Sequence, residues 1–103
     1  MAGFFNKILG GGNKLDLGDL IGKGAIIVDV RSPREYASGH VKGSLNIPLD
    51  KLDKQMAKLE KKGKPVITCC ASGMRSRTAA SKLKARGIEA YNGGPWTKVN
   101  RFK

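Results

Sequence analysis

Residues 65–76 read PVITCCASGMRS, and this stretch decides the fold. Its first part, Pro65 to Cys69, is a short, largely apolar run that begins at a proline, as a strand buried on both faces of a sheet does. A glycine-containing turn and then a helix follow it. In a parallel sheet the working residues lie at the carboxyl ends of the strands. The sequence therefore predicts a functional site at Cys70, which stands at that end.

Strands and helices alternate outward from this stretch. Apolar runs predict strands, and apolar residues at helical spacing behind a capping residue predict helices. The predicted strands are 25–30, 45–47, 65–69 and 88–91, and the predicted helices are 16–21, 33–38, 50–62 and 76–86. Gly93-Gly94-Pro95 is predicted to break the chain before Trp96. This alternation indicates an α/β fold in which right-handed crossovers join parallel strands and helices cover both faces.

The length and composition indicate one small domain. The chain has 103 residues, of which 40% are hydrophobic, enough for a modest core. We expect residues 1–12, which end in three glycines, to be a flexible leader and residues 13–103 to form the domain. The longest apolar run, residues 25–28, is too short to span a membrane, and no secretory signal is recognisable. We therefore expect a cytoplasmic protein with no membrane contact.

The cysteines and the histidine argue against a structural metal site and a disulfide framework. Cys69 and Cys70 are adjacent, and His40 is the only histidine. Neighbouring cysteines cannot join distant parts of a fold, and these side chains cannot supply the three or four converging ligands of a zinc site. We therefore predict no metal and no cofactor.

The chain is strongly basic, with 20 Lys and Arg against 8 Asp and Glu and a net charge of +12. Such a charge can attract nucleic acid, an anionic membrane surface or small anionic substrates. Six of the lysines are Lys51, Lys54, Lys58, Lys61, Lys62 and Lys64. Leu52, Met56 and Leu59 recur among them at helical spacing, which indicates a solvated helix face. Because no aromatic residue lies between these lysines to stack on bases, nucleic acid is disfavoured.

Cys70 stands where its thiol can become a reactive thiolate. The N-terminus of the following helix offers unpaired amides and a partial positive charge, both of which favour an anion. Gly73 lets the loop curl so that its amides point inward, and Arg75 can hold an oxyanion with two hydrogen bonds. Such a site suits sulfur or phosphate transfer. The alternative is that Cys70 is only a small, buried core residue.

Three stretches of the sequence resemble the rhodanese domain family, and its single-domain thiosulfate sulfurtransferases in particular. They are DVRSPREY (29–36) with GHVKGSLNIPL (39–49), VITCCASGMRS (66–76), and Gly93-Gly94 followed by Trp96. Together they follow the family's order from about residue 14 to residue 100. The resemblance implies a rhodanese-like fold with a five-stranded parallel sheet and helices on both faces.

The resemblance also implies an activity. Cys70, not Cys69, would accept sulfane sulfur from thiosulfate or polysulfide as a persulfide and pass it to a thiol or to cyanide. This is covalent catalysis in two steps, without a cofactor. The loop residues that would bind the persulfide and the donor are Ala71, Ser72, Gly73, Met74 and Arg75. We expect the protein to be a monomer.

Supporting roles fall to five other residues. In the family the segment around His40 is a packing and hydrogen-bonding element. Asp29 and Arg31 are expected to pair and brace the loops, because a buried carboxylate is costly unless it is paired. Trp96 is expected to be a core or lid aromatic. Cys69 should point to the opposite face of its strand and lie in the core, with a resolving cysteine as the alternative.

Position 71 and the length of the loop distinguish further alternatives. The family often has a larger polar or basic residue where this chain has Ala71, so a more open mouth is expected, with polysulfide or protein persulfides as possible donors. Related phosphatases have a loop one residue longer between the cysteine and the arginine, which disfavours phosphate chemistry here. The remaining alternative is a non-catalytic rhodanese-type binding or regulatory module, although such modules commonly lack the cysteine.

Overall fold

A parallel four-stranded sheet lies at the centre of the protein. The computed structural model describes residues 16–103, so the predicted leader lies outside the described residues. The strands are β1 (Ile26–Asp29), β2 (Leu45–Asn46), β3 (Val66–Cys70) and β4 (Ala90–Pro95). Their order in the sheet is β2-β1-β3-β4, and every neighbouring pair is parallel. The two most apolar runs of the sequence thus form the central strands, where both faces are covered.

The implied five-stranded sheet is wrong for residues 16–103, which contain four strands. The segment before β1 is the helix α1 (Leu17–Gly22), which confirms the helix predicted at 16–21. It begins because Oδ1 of Asp16 accepts a hydrogen bond from the backbone N–H of Asp19 at 2.9 Å. The segment after β4 is the helix α5 (Trp96–Asn100). Both flanking segments of the described chain are therefore helical and add no strand.

Helices cover both faces of the sheet. The remaining ones are α2 (Pro33–Ala37), α3 (Leu52–Lys62), which follows a 3-10 turn (Leu49–Lys51), and α4 (Met74–Ala85). On one face α3 and α4 pack on a cluster that includes Val28, Leu52, Met56, Leu59, Val66, Cys70, Ala79 and Leu83. On the other face α1 and α5 pack on Leu17, Ile27, Val41, Ile67, Cys69 and Val99. Full burial of one large aliphatic side chain contributes on the order of 1.5–3 kcal/mol, so these clusters supply most of the stabilisation.

The predicted helix boundaries are confirmed where a cap specifies them. α2 begins at a capping box in which the Ser32 side chain accepts from the N–H of Glu35 and the Glu35 side chain accepts from the N–H of Ser32, with Pro33 in the first helical position. α3 ends at Gly63, whose φ of +62° is left-handed. The lysines on and around α3 are exposed, while Leu52, Met56 and Leu59 are buried. The interpretation as a solvated helix face is thereby confirmed.

Two of the differences from the prediction extend the elements around Cys70. α4 begins at Met74, two residues before the predicted start, because Gly73 already provides its N-cap. β4 continues through Gly93 and Gly94, which were predicted to break the chain. Gly93 fits within the strand since it lacks a side chain: a Cβ there would lie 2.7 Å from Cγ2 of both Ile67 and Val99. Within residues 16–103, no helix combines the length and apolar character that crossing a membrane requires.

Candidate functional site

The two cysteines end β3 and face opposite sides of the sheet. Cys70 packs in the cluster under α3 and α4, and Cys69 packs in the cluster that contains Leu17 and Val99. The alternation of side chains along a strand separates them in this way. The prediction that Cys69 lies in the core is therefore confirmed, and only Cys70 faces the loop that follows β3.

The sulfur of Cys70 is held by that loop and by the first turn of α4. The N–H of Gly73 lies 3.0 Å from Sγ, and the N–H and the hydroxyl oxygen of Ser76 each lie 3.4 Å from it. Gly73 has a φ of +102°, and a Cβ on it would lie 3.3 Å from Cα of Gly94, so the loop requires glycine here. Cys70 has no solvent-exposed surface. The surrounding residues therefore cover the sulfur in this structure.

The same contacts set the pKa of Cys70. Burial raises the pKa of this thiol. The amides of Ser76, Gly73 and Ser72 stabilise the thiolate, as does the Ser76 hydroxyl once it turns from Asn92 to the ionised sulfur, and their combined effect lowers the pKa below its ordinary value. For Cys69, burial above all and then the nearby Asp29 carboxylate raise the pKa to about 12. Cys70 is thus the thiol suited to nucleophilic attack, while Cys69 stays protonated.

Asn92 on β4 joins the groups that contact the sulfur. Its Oδ1 accepts hydrogen bonds from the Ser76 hydroxyl at 2.6 Å and from the Gly94 N–H at 3.0 Å, and its Nδ2 donates to the Gly73 carbonyl at 3.2 Å. Sequence reasoning misses Ser76 and Asn92 as site residues, because a serine in a first helical turn and an asparagine before glycines are common structural features. Their hydrogen bonds depend on the fold, which places β4 beside the loop.

Arg75 is paired with Glu35, a third site residue that sequence reasoning misses. Nη1 and Nη2 of Arg75 lie 2.8 and 2.9 Å from the two carboxylate oxygens of Glu35. The hydrogen bonds from Arg75, followed by those from Ser32, lower the pKa of Glu35 to about 2, so this carboxyl is ionised. Arg75 was predicted to bind the donor. The structure places both of its terminal nitrogens on Glu35.

The other loop residues form the exposed rim of the site. Ala71 and Ser72 are exposed and follow directly on β3. Met74, the first residue of α4, has 73% of its surface exposed. Within the predicted substrate loop, the backbone amide of Gly73 therefore lies within hydrogen-bonding distance of the sulfur, while the side chains of Ala71, Ser72 and Met74 are exposed.

The predicted brace between Asp29 and Arg31 is confirmed. Nε and Nη2 of Arg31 donate to the Asp29 carboxylate at 2.9 and 2.7 Å, and Nη2 also donates to the Gly39 carbonyl at 2.7 Å. The guanidinium lies 5.0 Å from the centre of the Trp96 ring, a cation–π contact. Trp96 itself packs partly buried against the cluster under α1 and α5, in agreement with the predicted core role.

His40 contacts Tyr36, as expected of a packing element. Their rings stack with centroids 3.7 Å apart, and Nδ1 of His40 lies 2.8 Å from the Tyr36 carbonyl oxygen. These contacts fix the chain just after α2. In the part of the chain that the structure describes, no three His, Cys, Asp or Glu side chains lie close enough together to hold a metal ion.

Alkylation of Cys70 is expected to show a pH midpoint below that of a free cysteine, whose pKa is about 8.5. Because the pKa of Cys70 is lowered, its thiolate is half-formed at a lower pH, and the rate then levels off as pH rises. The rate of iodoacetamide labelling, mapped by peptide mass against pH, measures this midpoint. Ser76→Ala removes a hydroxyl that lowers the pKa of Cys70 and should therefore move the midpoint upward. A midpoint at or above that of free cysteine, or labelling of Cys69 first, contradicts the assignment.

Comparison with known proteins matches residues 14–95 to the rhodanese-like domain family. Three curated relatives illustrate the match. A tRNA sulfurtransferase of Thermoplasma acidophilum is 38% identical over 75% of this chain, the Bacillus subtilis protein YqhL is 42% identical over 66%, and the thiosulfate sulfurtransferase GlpE of Stutzerimonas stutzeri is 36% identical over 67%. The chain spans 15%, 54% and 63% of these relatives' own lengths.

Solved structures of rhodanese domains share the fold of this chain. A rhodanese from E. coli, solved with anions, aligns with a TM-score of 0.67 and 29% identity over 72% of this chain and 89% of its own. The aligned fold is the parallel sheet with flanking helices described above. Sequence and structure comparisons therefore agree on the family of this domain.

Proposed function

Because the chain belongs to the rhodanese-like domain family, we propose that it is a sulfurtransferase of the thiosulfate:cyanide type, which carries sulfur on Cys70. The donor is thiosulfate or a polysulfide, and the acceptor is cyanide or a thiol. Two relatives named as sulfurtransferases support this reading. The observation that supports this proposal most strongly is the position of Cys70. It is the last residue of a central strand, and its Sγ accepts hydrogen bonds from the amides of Gly73 and Ser76.

In the first step the Cys70 thiolate attacks the outer sulfur of the donor. With thiosulfate, a bond forms between Sγ and that sulfur, the bond to the sulfonate sulfur breaks, and sulfite leaves with the bonding pair. The persulfide anion remains on the enzyme. The amides around Sγ and the N-terminus of α4 stabilise the negative charge that persists through this step.

In the second step a nucleophile takes the outer sulfur. Cyanide attacks it, thiocyanate forms, and the bonding pair returns to Sγ as the Cys70 thiolate. The donors that favour the thiolate, above all the Ser76 hydroxyl and amide, make Cys70 a good leaving group here. No general base is needed once the thiolate exists, so His40, which stacks on Tyr36, is left to packing.

A non-catalytic binding module is the alternative reading of the same domain. It would need neither a thiol at position 70 nor hydrogen bonds that lower the pKa of that thiol. Both are present. The contacts of Cys70 therefore favour catalysis.

Intact mass before and after incubation with thiosulfate, and separately with polysulfide, tests the proposal. The protein is expected to gain the mass of one sulfur atom, to lose it on addition of cyanide, and to carry it on the peptide that contains Cys70. Cyanide-treated protein that is loaded a second time serves as the control for irreversible oxidation. If neither donor adds a sulfur that cyanide can remove, the binding module is the better interpretation.

A further inference from the structure

The positive charge at the end of the loop is already compensated. Arg75 meets Glu35 end to end, with both terminal nitrogens on both carboxylate oxygens. Glu35 is itself held in place, because the N–H and the hydroxyl of Ser32 donate to its Oε1 at 3.0 and 3.1 Å. A carboxylate fixed by a capping box keeps its geometry without help from a substrate. The donor therefore meets a neutral ion pair rather than a free guanidinium.

The surroundings of this pair include apolar surface that an organic donor can contact. Ala71 and Met74, which lie close to Cys70 in the loop and at the start of α4, expose apolar side chains. The Arg75 side chain also lines an open groove of about 630 Å³, whose walls combine apolar residues such as Val30, Pro33 and Leu49 with two aspartates and two lysines that balance in charge, Asp50, Asp53, Lys51 and Lys82. Apolar surface of this kind gains free energy when it covers an organic substituent, and inorganic thiosulfate has none.

We infer that Glu35 is a specificity-determining residue, which neutralises Arg75 and so directs Cys70 toward singly charged organic sulfane donors, such as alkyl persulfides and thiosulfonates, over the thiosulfate dianion. This inference rests on the proposed function and concerns only the choice of donor. Glu35 is a positioning residue, since it acts through Arg75.

The reaction with such a donor balances in the same way as with thiosulfate. With methanethiosulfonate, the Cys70 thiolate attacks the outer sulfur, the bond between the two donor sulfurs breaks, and methanesulfinate leaves with the bonding pair. Two negative charges enter the step and two remain, on the persulfide and on the leaving group. With thiosulfate the count is three. Thiosulfate thus brings one more negative charge, and Arg75 does not compensate it because Glu35 already neutralises its guanidinium.

The test compares thiosulfate with methanethiosulfonate, two donors that differ by one charge. The rate at which Cys70 gains sulfur is measured against donor concentration in single turnover, at constant ionic strength. Glu35→Gln removes the charge but still offers Ser32 an oxygen that accepts its hydrogen bonds. We expect it to raise the ratio of thiosulfate to methanethiosulfonate efficiency by about five- to tenfold, mainly through a lower half-saturating thiosulfate concentration.

Glu60→Gln is the matched control. Glu60 also pairs with an arginine, Arg86, at 3.3 Å, but this pair lies at the C-terminal ends of α3 and α4, before the chain enters β3 and β4, whereas Cys70 lies at the end of β3. The change therefore adds the same net charge and frees an arginine far from the loop. It should leave the donor ratio unchanged. Thermal melts check that both variants fold.

A double variant separates neutralisation from direct contact. Arg75→Gln alone leaves Glu35 uncompensated and should lower the donor ratio, whereas Glu35→Gln with Arg75→Gln restores neutrality and should return the ratio close to that of the unmodified protein. The inference is overturned if Glu35→Gln changes the donor ratio by less than about twofold. It is also overturned if the double variant has a donor ratio as low as that of Arg75→Gln. Absence of any sulfur on Cys70 with either donor would instead refute the proposed function.

Discussion

Replacing Cys70 with serine is expected to lower thiocyanate formation from thiosulfate and cyanide by at least about a thousandfold, because a serine hydroxyl cannot replace the thiolate as carrier of the sulfur. The hydrogen bonds from Gly73 and Ser76 favour an anion at this position, but they do not bring a hydroxyl near ionisation. Turnover per mole of folded protein is the measurement.

Cys69→Ser is the matched control for this result. Cys69 is buried among Leu17, Ile67 and Val99 on the opposite face, and burial keeps its pKa at about 12. The serine hydroxyl there costs about 1–3 kcal/mol of stability by desolvation, yet the site on the other face keeps its geometry. Activity should therefore be retained. Normal turnover by Cys70→Ser, or loss of turnover in Cys69→Ser alone, would show that Cys70 is not the residue that carries the sulfur.

The parts of the site that could be predicted are those encoded by residues close together in sequence. The apolar run into Cys70, the glycine at 73 and the helix that follows are neighbours in the chain, and their periodicity specifies a strand, a turn and a helix. The cap at Ser32 is equally local, since its partner Glu35 is three residues away. Local patterns of this kind depend little on the rest of the fold.

The parts that could not be predicted join residues that are distant in sequence. Glu35 and Arg75 lie 40 residues apart, and each has an ordinary local explanation, as a capping residue and as a loop cation. Asn92 reaches Gly73 and Ser76 only because β4 pairs with β3 beyond the predicted strand end, with a register shift between Thr68 and Cys70. Pairing register is a tertiary property that strand propensity does not specify.

The count of strands is a different case, in which the local sequence pattern predicts the observed element and the resemblance does not. The resemblance implied five strands, but the residues just before β1 carry apolar side chains at helical spacing, Leu17, Leu20 and Ile21, behind the capping residue Asp16. Local helical signals therefore determine this segment in the described chain. The central strands β1 and β3 are unaffected, and these are the strands that position Asp29 and Cys70.

Arg31→Leu is expected to lower the free energy of unfolding by about 3–5 kcal/mol, because it leaves the carboxylate of Asp29 buried and unpaired. Asp29 has no exposed surface, and the Arg31 side chain is only 5% exposed. The change also removes the hydrogen bond to the Gly39 carbonyl and the contact with Trp96. Urea unfolding followed by circular dichroism gives the free energy.

Arg86→Leu provides the comparison, since it also removes an arginine from an ion pair. The side chains of Arg86 and Glu60 are 41% and 51% exposed, and a solvated pair of this kind contributes about 0–1 kcal/mol. Combining Arg31→Leu with Asp29→Asn removes the unpaired charge and should recover part of the loss, which would show that the cost comes from the stranded carboxylate rather than from lost packing. If Arg31→Leu destabilises the protein no more than Arg86→Leu does, the buried pair is not the brace that holds the ends of β1 and α5 together.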